Sequence, residues 1–148
     1  MEKGTISKIT VDYNISLISV NKADFSKIND IVASLSDAKI NIRTITMTQT
    51  LKDSSSLMFS LEDDSVDVAL KTLKENIDGV FEVSKENAKI VISGNGFKSP
   101  LSGINDILDT IIFSGVEIKL FSTTDTELSV IVDKIYSDKI IDILKPFE

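Results

Sequence analysis

The chain contains no cysteine, no histidine and no tryptophan, and its only arginine is Arg43. These gaps remove whole classes of chemistry. Without histidine or cysteine there is no Ser–His or Cys–His nucleophile pair and no His/Cys zinc site. No disulfide can form, which is compatible with a reducing compartment. No Walker-type Gly-x-x-x-x-Gly-Lys-Ser/Thr motif is present to cradle a nucleotide phosphate. No apolar run approaches the ~18 residues that a membrane-spanning helix needs. Met1-Glu2-Lys3-Gly4 opens no signal peptide, because no continuous apolar segment follows it. The expected location is the cytoplasm, with no membrane partner.

What is present reads as a globular chain. Its 148 residues suit one ordinary domain or two small ones. Apolar residues at 42% are too many for a disordered chain. The net charge of −7 repels a phosphate backbone, and the lysines are scattered rather than aligned, so no nucleic-acid partner is expected. Isoleucine, valine, serine and threonine are abundant, which favours strands.

The sequence repeats itself. A short strand opened by asparagine occurs twice, at Asn14–Val20 and Asn87–Ser93. A helical stripe follows each: Phe25, Ile28, Ile31, Val32 and Leu35, then Ile104, Ile107, Leu108, Ile111 and Ile112. A small-residue turn leads next into a strand, Asp37-Ala38-Lys39 into Ile40–Thr50 and Ser114-Gly115 into Val116–Thr123. Alternating hairpin partners come after, with Leu57, Phe59 and Leu61 in one copy and Leu128, Val130 and Val132 in the other. A second helix closes each copy, around Ala69–Leu73 and around Ile140–Leu144.

Each copy therefore reads β-α-β-β-α. The first continues through Asp78-Gly79 into a fourth strand, Val80–Val83, which completes the ferredoxin-like βαββαβ unit. The second stops at Lys145-Pro146-Phe147-Glu148, one strand short. The alternating segment Thr5–Asp12 is a strand that the first unit does not need, and an uncompleted sheet edge is a liability. The expectation is an α+β protein of two ferredoxin-like units in tandem, one inserted into the other. Residues 14–85 form the first, and residues 1–13 plus 86–148 form the second. A domain of ~60 residues buries only about 60% of its unfolded surface. Packing and homodimerisation through sheet edges or helix faces are the expected remedy.

Several segments invite a chemical reading. Gly94-Asn95-Gly96 follows a strand and precedes a helix, as in half of a dinucleotide fingerprint, but Ser99 stands where the third glycine would be. It reads as a strand–helix loop with Pro100 marking the helix start, whose backbone N–H groups could still hold a small carboxylate. The equivalent loop of the first unit is Asn21-Lys22-Ala23-Asp24-Phe25-Ser26. Asp24 there is either a helix-start acid or a partner for the amine of an effector. Asp63-Asp64 reads as a solvated turn, and Lys52–Ser56 as a hairpin tip. An acylphosphatase-like site would need its arginine beside a strand–helix loop, whereas Arg43 opens the second strand. No metal, cofactor or enzymatic activity is expected.

The residues then suggest a family. Gly94–Pro100, Phe113–Asp125 and Leu128–Val132 resemble the last ACT domain of the aspartokinases, with its Gly-x-Gly-Met-Arg-Ser loop, Ala-Gly-Ile-Asn-Ile turn, Ser-Thr-Ser-Glu segment and Ile-Ser-Val-Leu-Ile strand. Ser36-Asp37-Ala38-Lys39-Ile40-Asn41-Ile42 resembles the first ACT domain. The likeness covers nearly the whole chain, and Ser122–Asp125 is its most specific part. It implies a tandem ACT region with one unit inserted in the other, like the short regulatory subunit that some bacteria make beside the full enzyme. It also implies binding of lysine or threonine between ACT domains and restraint of an aspartokinase catalytic chain. The sequence departs from the family at named places. Ala23-Asp24-Phe25-Ser26 lacks the Asp-x-Pro-Gly of the first loop, and the Gln-Asn pair of the second strand falls on Met47-Thr48. The implied effector site comprises Asn21, Lys22, Ala23, Asp24, Phe25, Ser26, Met47 and Thr48. The alternative is a dimerisation module of the same fold with no ligand.

Overall fold

The computed structural model describes residues 5–23, 28–51, 54–94 and 102–148. Among these residues six strands and four helices follow one another as β1 (Ile6–Ala23), α1 (Ile28–Asp37), β2 (Ile42–Leu51), β3 (Ser54–Glu62), α2 (Val66–Asn76), β4 (Val80–Gly94), α3 (Ser102–Phe113), β5 (Leu120–Thr123), β6 (Glu127–Asp133) and α4 (Ser137–Leu144). The protein is α+β. It divides into two compact units, Asn14–Glu86 and Met1–Tyr13 with Asn87–Glu148, here called the inserted and the enclosing unit.

The inserted unit orders its strands β2-β3-β1-β4, and the enclosing unit β1-β4-β6-β5. Both orders are the ferredoxin-like one. Each unit has its own first strand at the inside, flanked by its third and fourth. In the enclosing unit the first half of β1 supplies the fourth strand. The β1–β4 pairing is antiparallel: the start of β1 lies beside Gly94 and its end beside Gly79.

Each unit has its own core. In the inserted unit Ile18, Val20, Leu57, Phe59 and Leu61 face Ile31, Leu35, Val66, Ala69 and Leu73. These residues alternate along the strands and recur every three or four along the helices, so each element shows one apolar side to the same interior. The enclosing unit packs Ile90, Ile92, Leu128, Val130 and Val132 with Ile104, Ile107, Ile111, Ile140 and Leu144. Val32 and Ile112 fall outside these cores and are 44% and 57% exposed. The helical stripes are thus narrower than their sequence spacing predicts.

The turns after α1 and α3 share one chemistry. Lys39 has φ 56°, and the N–H of Ile40 donates to the Leu35 carbonyl (3.1 Å) while that of Lys39 donates to Ser36 (2.9 Å). This is a Schellman ending, in which a left-handed residue lets the chain reverse and satisfies the last carbonyls. Ile40 then packs on the core that contains Leu35. Gly115, with φ 87°, takes the same place after α3, and Val116 enters the core with Ile111.

Three strand boundaries differ from the sequence-based expectation. The strands expected at 5–12 and 14–20 are one strand of 18 residues, which runs through left-handed Asn14 (φ 60°). Those expected at 80–83 and 87–93 are likewise one, running through left-handed Glu86 (φ 58°). A left-handed residue bends a strand without ending its ladder. The segment expected as a strand from Val116 is a strand only from Leu120. Val116 is drawn into the core by the turn, and regular pairing starts once Lys119 N–H reaches the Ile131 carbonyl (2.8 Å). The expected hairpin tip is shorter too: Ser54–Ser56 belong to β3, and Lys52-Asp53 lie outside the described residues.

Candidate functional site

Of the expected effector residues, the described ones lie at the end of β1 and on the later part of β2. Asn21 is half-buried near the end of β1, and its side-chain Oδ1 accepts a hydrogen bond from the Ser56 hydroxyl (3.0 Å). Lys22 and Ala23 are the last residues of β1, and Ala23 pairs with Ser55. Asp24, Phe25 and Ser26 lie outside the described residues. Met47 stands opposite Leu57, and Thr48 opposite Ser56.

That register separates the two β2 residues. Directly opposed residues of an antiparallel pair share a face, and successive residues alternate. Met47 therefore lies on the helix side with Leu57, while Thr48 lies on the other side with Ser56. The two β2 residues of the implied site thus face opposite sides of the sheet. β2 is an edge strand, so the helices do not cover it fully, and Ile45 and Met47 remain 44% and 43% exposed.

Sequence reasoning missed Ser55. It is fully buried, and its hydroxyl has no hydrogen-bond partner among the described residues. It belongs to the helix-side row Ser55-Leu57-Phe59-Leu61 and pairs with Ala23 on one flank and Gln49 on the other. The alternation of that row was the signal that could have found it. A buried donor left without a partner costs about 1–3 kcal/mol.

Other sequence candidates have structural roles. Gly94 is a packing glycine, because a Cβ there would lie 2.2 Å from the Thr5 carbonyl oxygen. Asn95 to Leu101 lie outside the described residues. Arg43 pairs with Glu62 across the hairpin (2.6 Å). Asp63 is no solvated turn: its Oδ1 accepts from the Ser16 hydroxyl and from the Glu86 N–H (3.4 Å). Asp64 is exposed, as expected of a turn acid. A separate open groove of about 420 Å³ runs along α2, lined by Asp67, Leu70, Lys71, Lys74 and Glu75. Its two lysines and two carboxylates balance, so it selects no ion. Among the described residues no three Asp or Glu side chains are grouped to hold a metal, and no helix is long and apolar enough to cross a membrane.

No family model matches the chain. Among curated proteins, an aspartokinase of Bacillus sp. (strain MGA3) is 22% identical over 163 aligned positions. The match takes in 97% of this chain and 39% of that protein, so the chain spans about two fifths of the relative's length. Solved structures match end to end. The regulatory subunit of aspartate kinase from Thermus thermophilus, in a ligand-free form, superposes with a TM-score of 0.83 at 19% identity, covering 97% of this chain and 99% of that one. The regulatory subunit from Thermus flavus gives 0.86 at 18% identity, with the same coverage. The fold of this chain is that of the aspartate-kinase regulatory subunit, two ferredoxin-like units with one inserted into the other.

Proposed function

We propose that the chain is a non-catalytic regulatory module that binds a small amino acid and modulates an aspartokinase catalytic chain. The observation that carries this reading is the end-to-end structural correspondence with regulatory subunits, over 97% of this chain and 99% of theirs. The two units are read as ACT domains, residues 14–85 and residues 1–13 with 86–148. Their location is the cytoplasm, and no cofactor is required. The mechanism is linkage: an amino acid that binds one conformation better shifts the population toward it, and the partner senses that shift.

The effector site of this reading lies at the β1–α1 end of the inserted unit. The N-terminal N–H groups of α1 suit a carboxylate, and Asp24 takes the ammonium or a side-chain amine. Asn21, Lys22, Ala23, Phe25 and Ser26 complete the strand–helix side. Met47 gives the β2 wall an apolar character, which favours a less polar side chain than lysine, and Thr48 serves the opposite face. The alternative is a dimerisation module of the same fold without a ligand. The exposed edge of β2, with Ile45 and Met47 beside unpaired backbone groups, supports a homodimer formed along that edge.

A thermal-shift screen of the twenty amino acids tests the reading. A ligand at a hundredfold excess over its Kd adds about 2.7 kcal/mol, or roughly 5–10 °C in a chain of this length. Asp24→Ala should abolish that shift while leaving the ligand-free melting temperature nearly unchanged. An equal fall with and without ligand would make Asp24 a helix cap worth about 1 kcal/mol. No shift with any amino acid would leave the dimerisation module.

A further inference from the structure

Two of the four left-handed residues among those described remain unexplained by turns. Lys39 and Gly115 end helices, whereas Asn14 and Glu86 sit inside strands. They are also the first and last residues of the inserted unit. Asparagine visits this conformation readily, but glutamate does not, because its Cβ crowds the following carbonyl. Something must hold Glu86 there. Asp63 is placed to do so, since one carboxylate oxygen accepts from the Glu86 N–H (3.4 Å) and from the hydroxyl of fully buried Ser16, two residues beyond Asn14. The next residue, Asn87, is gripped separately: it is fully buried, and its Oδ1 accepts from Lys119 Nζ (2.5 Å).

We infer that Asp63 is a conformational clasp for the strand that leaves the inserted unit. With the clasp made, Glu86 is left-handed and β4 is bent at that residue. With it open, Glu86 relaxes to extended backbone and β4 straightens there. Asp63 opens the 3-10 turn Asp63–Ser65 that leads into α2. A displacement of that turn is thereby converted into a change of backbone conformation one residue before Asn87. The device stands whether or not an amino acid binds, so its test is separate from the screen above.

The test is a double-mutant cycle on the full chain with Asp63→Ala and Glu86→Gly, read by thermal melting and by hydrogen exchange. Glycine adopts the left-handed conformation without strain, so Glu86→Gly should make the loss of Asp63 markedly less damaging than it is in the parent. Asp63→Ala alone should speed exchange of the Glu86 amide about tenfold beyond the change at the Phe59 amide, which reports global unfolding. Asp63→Asn keeps an acceptor oxygen and should restore most of the protection. It is also the variant to compare if Asp63→Ala does not fold. Additive effects in the cycle, or Glu86 protection that is indifferent to Asp63, would overturn the clasp.

Discussion

Gly94→Ala should be among the most damaging single-methyl additions to this protein. The new Cβ would sit 2.2 Å from the Thr5 carbonyl oxygen, 3.2 Å from its carbon and 3.3 Å from the Ile6 Cα. Ordinary contact begins near 3.4 Å, so the oxygen must retreat by more than an ångström. Every atom in the way is backbone, and no side chain can rotate aside. Gly94 itself is tied by its N–H to the Thr126 carbonyl (3.0 Å). The start of β1 must therefore move, and with it Ile6, which is only 2% exposed. Overpacking costs about 1–3 kcal/mol, and withdrawing an isoleucine from a core costs about 1.5–3 kcal/mol. The strain and the withdrawal are alternatives, so about 2–3 kcal/mol is expected. At roughly 2–4 °C per kcal/mol for a chain of this length, the melting temperature should fall by about 4–12 °C. Gly115→Ala is the control. Nothing lies within 4 Å of its Cβ, but φ 87° strains any side chain, at about 1 kcal/mol. Thermal melts followed by circular dichroism compare the two. If Gly94→Ala melted with or above Gly115→Ala, the first half of β1 would not be closing the sheet of the enclosing unit.

Lys39→Gly should raise stability by up to about 1 kcal/mol in chemical denaturation, because Lys39 holds the left-handed place of a helix ending without the freedom of glycine. A loss of stability would contradict that account of the turn. Phe59→Ala, at the centre of the inserted core, should cost about 3–5 kcal/mol by the same measurement. A cost under 1 kcal/mol would mean that the core is packed otherwise. Arg43→Ala should change stability by less than about 1 kcal/mol, since Arg43 and Glu62 are 39% and 50% exposed and water screens the pair.

The repeated β-α-β-β-α pattern was legible because both units rest on local periodicity. Leu57, Phe59 and Leu61 alternate, as do Leu128, Val130 and Val132, while Ile31, Leu35, Ile107 and Ile111 recur at helical spacing. The missing strand was legible as arithmetic, since a unit one strand short needs one from elsewhere. What local pattern could not show is backbone handedness. Asn14 and Glu86 look like strand boundaries in sequence, yet each is a bend inside a longer strand, held by pairing with distant residues. Asp63 escaped for the same reason, because its partners Ser16 and Glu86 are 47 and 23 positions away. In the candidate site, the polar end of β1 could be read from Asn21 onward. The period of two along β2 was also readable, and it separates Met47 from Thr48. Ser55 was hidden by its composition: a Ser-Ser-Ser run resembles a loop until the row it shares with Leu57 is recognised.

The role proposed for the chain is to pass an amino-acid signal to an aspartokinase catalytic chain. Its most direct test is the rate of aspartyl phosphate formation by the aspartate kinase of the same cells, measured with and without this chain. Each condition is repeated with the amino acid that raises the chain's melting temperature. The amino acid is expected to change the kinase rate only when the chain is present, and Asp24→Ala is expected to remove the effect. A kinase rate indifferent to the chain with all twenty amino acids would contradict it.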